Sequence, residues 1–126
     1  MKYLLDSNIL IKLALGTGGE ALRTRLASCD EGDLVTSAVA LAEVAYGSMN
    51  AKPPPFEQLR TLTEEVPVLD FDYKAALAYA GLPFKRASFD RLIAAHALSN
   101  GLTVVTDNVK HFADVPALAV ENWFAA

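Results

Sequence analysis

The chain has 126 residues, 52% hydrophobic and 21% charged, with 15 acids against 11 bases and a net charge of −4. That length suits one domain spanning residues 1–126 that buries around two-thirds of its unfolded surface, and the composition excludes a disordered chain. The negative balance excludes a broad electrostatic grip on nucleic acid but leaves room for a local one.

Lys2-Tyr3-Leu4-Leu5 reads as a buried strand ending at Asp6. Asp6 and Lys12 interrupt the apolar run before a signal-peptide core or the ~20 residues of a membrane span can form, so a cytoplasmic protein with no membrane contact is expected. Residues 7–15 (SNILIKLAL) predict a helix stopped by Gly16, Gly18 and Gly19, and residues 20–28 a second with Leu22 and Leu26 on one face. Cys29, the only cysteine, can form neither a disulfide framework nor a thiolate metal site and reads as packing. Residues 33–36 predict a short strand, after which Ser37 can cap a helix running to Tyr46 and ended by Gly47. Lys52-Pro53-Pro54-Pro55 is a stiff connector, and Pro54 or Pro55 can open the helix that follows through Glu65. A strand at 66–69 and a helix at 71–80 come next, broken by Gly81-Leu82-Pro83. Ser88 opens the apolar helix FDRLIAAHALSN, which ends at Gly101. LTVVT at 102–106 is the clearest strand, followed by a helical turn at 108–113 and a last strand around 118–120.

Short apolar strands alternating with helices predict a three-layer α/β/α sandwich with a mostly parallel, open sheet of four to five strands. A (β/α)₈ barrel would need about twice the residues.

The acids fall in a pattern. Asp6 follows one strand and Asp107 follows another; Glu43 is the only charge in the helix AVALAEVAY, and Asp90 the only acid in FDRLIAAHALSN. Each has an ordinary explanation: Asp6 can cap the next helix, Asp90 suits a first helical turn, and Glu43 can pair with a base from elsewhere. Gathered at the carboxyl rim of a parallel sheet, where such folds bind ligands, they would repel one another unless a cation sat between them. A hard divalent ion such as Mg2+ suits oxygen ligands and keeps several waters. Mg2+ among carboxylates suits phosphodiester hydrolysis, polarising a phosphoryl oxygen and lowering the pKa of an attacking water. His96 lies six residues after Asp90, off its face of the helix, and reads as packed; His111 could contact substrate or simply be exposed.

Four segments, LLDSNILI (4–11), TSAVALAEVAYG (36–47), SFDRLIAAHAL (88–98) and VVTDNVKHFADVPALAVENW (104–123), resemble PIN-domain ribonucleases, most closely the VapC-type toxins of bacterial toxin–antitoxin pairs. The resemblance implies a Mg2+- or Mn2+-dependent endoribonuclease that is inhibited by a VapB-like antitoxin and forms a homodimer. It implies an acidic core of Asp6, Glu43 and Asp90, with Asp6 and Asp90 as direct metal ligands. Many relatives carry the fourth acid where this chain has Asn108, one residue after Asp107. Asn108 could hold a water through its amide, or Asp107 could supply the charge, the option favoured here. Ser7, Asn8 and Thr106 are candidates for orienting carboxylates or water, and Lys85, Arg86 and Arg91 for holding RNA phosphates, although each also suits a capping or solvated surface role. Two other readings remain at this point: a catalytically silent PIN-like module that binds RNA or protein, and a receiver-type phosphoacceptor domain.

Overall fold

A computed structural model describes residues 1–83 and 88–124. Five parallel strands form one sheet: β1 (Tyr3–Leu5), β2 (Leu34–Ser37), β3 (Val68–Leu69), β4 (Thr103–Val105) and β5 (Val120–Glu121), in the order β3-β2-β1-β4-β5. Successive strand side chains point to opposite faces, and Leu4, Leu5, Val104 and Val105 are all 0% exposed. The central strands are therefore covered on both sides, which makes the three predicted layers.

The covering comes from α1 (Ser7–Leu15), α2 (Gly19–Ala27), α3 (Ala38–Met49), α4 (Phe56–Glu65), α5 (Tyr73–Ala80) and α6 (Phe89–Ser99). Helix α1 packs against α3 and α4, α5 lies along α6, and α3 also touches α6. Leu10, Leu22, Val44, Leu59 and Ile93 carry these helices into the shared core. At the far end Trp123 is buried edge-on against Tyr3, donates to Glu121 at 2.9 Å and lies under Arg25, fixing the short β5. Among the described residues no helix is long and apolar enough to cross a membrane.

Helix α3 runs through Gly47 to Met49, beyond the predicted end at Tyr46. Gly47 has no positive φ, and a Cβ there would meet nothing nearer than Lys52 Cβ at 3.6 Å; the left-handed residue of the following turn is Ala51, with φ 63°. A glycine is a helix stop only where the chain turns left-handed, and here the turn comes later.

The strand order separates two of the readings. A flavodoxin-like receiver sheet has the order 2-1-3-4-5, whereas this one runs 3-2-1-4-5. The order in which strands are added reverses between β1 and β4, and the crevice outside their carboxyl ends is where such sheets bind ligands. Leu5 is in register with Val105, so the next residues, Asp6 and Thr106, stand side by side at that crevice.

Candidate active site

Asp6 is at once the helix cap and the buried rim acid. Its extended backbone (φ −72°, ψ 165°) turns β1 into α1, and Oδ1 accepts the Ser7 backbone N–H at 2.7 Å. Oδ2 accepts the Thr106 hydroxyl at 2.8 Å. The residue is only 4% exposed, and burial raises its carboxyl pKa, with the charge of Asp90 adding to the rise; the hydrogen bonds from Thr106 and Ser7 act in the opposite sense.

Glu43 projects from the middle of α3 and is partly buried. Ser7 Oγ lies 3.3 Å from Glu43 Oε1 and 3.2 Å from Asp6 Oδ1. A hydroxyl has one proton to donate, so Ser7 can satisfy only one of these carboxylates at a time. Burial raises the Glu43 pKa, followed by the charges of Asp6 and Asp90. Among the described residues no lysine or arginine forms an ion pair with Asp6 or Glu43. The alternative of a basic partner for Glu43 finds no support there.

Asp90 lies in the first turn of α6, which Ser88 caps by accepting the Arg91 N–H at 3.2 Å. Asp90 Oδ2 is 2.9 Å from His111 Nδ1. Asn108 donates its backbone N–H to Thr106 Oγ1 at 3.0 Å, and its amide nitrogen is 3.1 Å from each ring nitrogen of His111. Asp107 faces other partners: its Oδ1 accepts from Asn8 Nδ2 at 3.2 Å and its Oδ2 is 3.5 Å from Lys12 Nζ. Asn108 is thus the residue tied into the polar chain between Asp6 and Asp90, while Asp107 is held by α1.

Sequence reasoning passed over Lys12, although Asn8 and Lys12 are four apart on one face of α1 and so could reach one carboxylate. It gave His111 no definite partner, and the fold brings it to Asp90. His96 is packed as expected, 1% exposed, with Nδ1 2.7 Å from Ser37 Oγ and its ring edge-on to Phe71; burial lowers its pKa. Arg91 Nη1 lies 3.8 Å from Asp114 Oδ2. Lys85 and Arg86 lie outside the described residues. Beside Asp90 a hollow of about 290 Å3 is lined by Ser88, Arg91, Lys110, His111 and Asp114.

The donors that converge at the crevice are carboxylate oxygens, which suit a hard cation. Among the described residues no three His, Cys, Asp or Glu side chains stand as a ready-made metal-binding group. Mg2+ requires no such cage, since one or two carboxylates and several waters suffice. A buried Asp6, and a Glu43 pressed by both Asp6 and Asp90, fit a cation between them.

The PIN domain family model matches residues 3–118. Over 98% of both chains the protein is 32% identical to the tRNA(fMet)-specific endonuclease VapC of Shigella flexneri. The VapBC2 structure from Rickettsia felis, bound to a DNA fragment from their promoter, superposes with a TM-score of 0.84 at 27% identity, covering 98% of this chain and 99% of that one. The VapBC-1 structure from nontypeable Haemophilus influenzae gives 0.81 at 29% identity, covering 99% and 100%. With its strand order, its rim acids and these likenesses together, the chain belongs to the PIN-domain family, among the VapC ribonucleases.

Proposed function

We propose that this protein is a Mg2+-dependent endoribonuclease, also able to use Mn2+, that acts in the cytoplasm as the toxin of a type II toxin–antitoxin pair. The observation that carries the proposal is the placement of Asp6 and Asp90, with Glu43, at the one crevice where the sheet reverses its order. Asp6 and Asp90 would hold the ion, and Glu43 would contribute charge from the α3 side. A bound Mg2+ supplies polarisation of a phosphoryl oxygen and a lowered pKa for an attacking water.

The chain's own groups prepare that chemistry. Thr106 and Ser7 fix the Asp6 carboxylate from two sides, so its oxygens need no reorientation when substrate arrives. Asp107 is held between Asn8 and Lys12 and adds negative charge at the rim. Lys85, Arg86 and Arg91, with Lys110 at the hollow beside Asp90, would bind RNA phosphates and position the strand. The Shigella flexneri relative is named for tRNA(fMet), which makes initiator tRNA the first substrate to try.

The two solved relatives named above are VapBC structures, and a VapB-like antitoxin is the partner proposed here, alongside a homodimer. Tyr46 (74% exposed) and Phe89 (55%) are large exposed apolar side chains that line a hollow of about 520 Å3 with Ala42 and Glu43. A protein partner covering that hollow would also cover the acids.

Induced expression in a bacterial host tests the proposal: growth should stop, and co-expression of a cognate VapB-like antitoxin should restore it. Arrest that persists unchanged with Asp90→Asn would favour the silent binding module instead.

A further inference from the structure

We propose that His111 is a positioning residue for Asp90, holding that carboxylate for the metal through its Nδ1. The proposal rests on Asp90 being a metal ligand. Asp6 and Asp90 are bridged by a run of polar contacts: the Thr106 hydroxyl donates to Asp6 Oδ2 (2.8 Å), the Asn108 N–H donates to Thr106 Oγ1 (3.0 Å), the Asn108 amide nitrogen stands 3.1 Å from both His111 ring nitrogens, and His111 Nδ1 lies 2.9 Å from Asp90 Oδ2. The two ends come from the turn after β1 and from α6, whose backbones share no hydrogen bond among the described residues, so these contacts relate two carboxylates that the sheet alone would leave independent.

The histidine is anchored although its ring is exposed. It closes the single 3-10 turn Val109–His111, with its N–H donating to Asn108 O at 3.0 Å, and the next residue, Phe112, is 1% exposed in the core. The His111 side chain is 56% exposed and that of Asp90 31%. A half-exposed aspartate at a helix start turns freely about its side-chain bonds unless something holds it. With Oδ2 against the imidazole, Oδ1 is left for a ligand. Groups that hold a ligating carboxylate in this way matter to metal affinity by roughly 10- to 100-fold.

The contact uses Nδ1, which makes the proposal specific. His111→Asn keeps an N–H donor near the Nδ1 position, His111→Gln moves it to the Nε2 position, and His111→Ala removes it. Mn2+ titration of the full-length protein without RNA, followed by electron paramagnetic resonance, should show affinity roughly 10-fold weaker for His111→Ala and His111→Gln and near wild type for His111→Asn. Melting in EDTA should be the same for all three, because the ring buries little surface. Wild-type or tighter Mn2+ binding by His111→Ala overturns the proposal, as does failure of His111→Asn to exceed His111→Ala. Asp90→Asn in the same titration separates the two claims. If Asp90→Asn binds Mn2+ like wild type, the metal assignment falls and the positioning role with it; if it is weakened while His111→Ala is not, only the positioning role falls.

Discussion

The Thr106 hydroxyl donates to Asp6 Oδ2 at 2.8 Å, linking residues 100 positions apart across the ends of the two central strands. Both are buried, with Thr106 at 0% exposure and Asp6 at 4%, so little water can take the place of a lost partner. Thr106→Val keeps the shape and removes the donor, leaving a buried carboxylate oxygen without its partner at a cost of about 1–3 kcal/mol. Metal-dependent RNA cleavage should fall roughly 10- to 100-fold in Thr106→Val. Thr106→Ser should retain most of it, and urea unfolding with cleavage rates on the same preparations checks both.

Asp6 has two duties, and different substitutions separate them. Asp6→Asn keeps an oxygen for the Ser7 N–H, since asparagine caps helices as well as aspartate, and it removes a buried charge whose pKa burial and Asp90 both raise. Activity should vanish while the metal-free melting temperature holds or rises slightly. Asp6→Ala loses the cap as well and should destabilise by about 1 kcal/mol. A marked fall in melting temperature for Asp6→Asn in EDTA would show that the charge itself supports the fold.

Metal stabilisation should fade at a higher pH than ordinary carboxylates would set. Binding requires Asp6 and Glu43 to ionise, and both carry raised pKa values, through burial first and neighbouring acids second. The rise in melting temperature on adding Mg2+ should therefore be full at pH 8 and shrink as pH falls towards their raised pKa values, above the usual carboxylate range near 4. Differential scanning fluorimetry with and without Mg2+ across pH 5–8 measures it. In the metal-free protein the same two groups act in the reverse sense: the folded state binds more protons than the unfolded one, so their contribution to stability rises as pH falls.

His96 supplies an opposite trend. Its folded pKa is lowered by burial, against the milder pull of Asp72 and Asp70, with Lys74 also nearby on α5. The neutral ring is therefore the folded form, and its contribution is present above the unfolded value near 6.5 and lost as pH falls through the folded pKa. Its Nδ1 contacts the Ser37 hydroxyl that caps α3 by accepting the Val39 N–H at 3.0 Å, so protonation would strain the helix carrying Glu43. Urea midpoints at pH 7.5 and 5.5 should diverge more for wild type than for His96→Gln; equal divergence would remove His96 from the account.

Much of this was legible in the sequence because local and long-range signals agreed. Asp6, Ser37 and Ser88 each stand directly before an apolar helix, and each proves to cap it. The runs around Leu4-Leu5 and Val104-Val105 announced strands covered on both faces, and Glu43 alone in an apolar helix pointed into the crevice. What the sequence concealed were partnerships set by the order of the strands. Nothing local places His111 against Asp90, because that contact depends on the turn after β4 folding over the start of α6. The contest between Asp107 and Asn108 was equally undecidable from spacing: one residue's step after a strand end reverses direction, and the structure turns Asp107 to Lys12 and Asn108 to His111. Gly47 misled because a glycine within a helix and a glycine that ends one look alike until the backbone is seen.

Cleavage of purified RNA, beginning with initiator tRNA, by the wild-type protein and Asp90→Asn in Mg2+, in Mn2+ and in EDTA decides whether the Asp6–Asp90 crevice is a metal-dependent nuclease site. Discrete fragments are expected from the wild type with either metal, none in EDTA, and none from a folded Asp90→Asn protein. Equal cleavage by Asp90→Asn, or cleavage undiminished in EDTA, would contradict it.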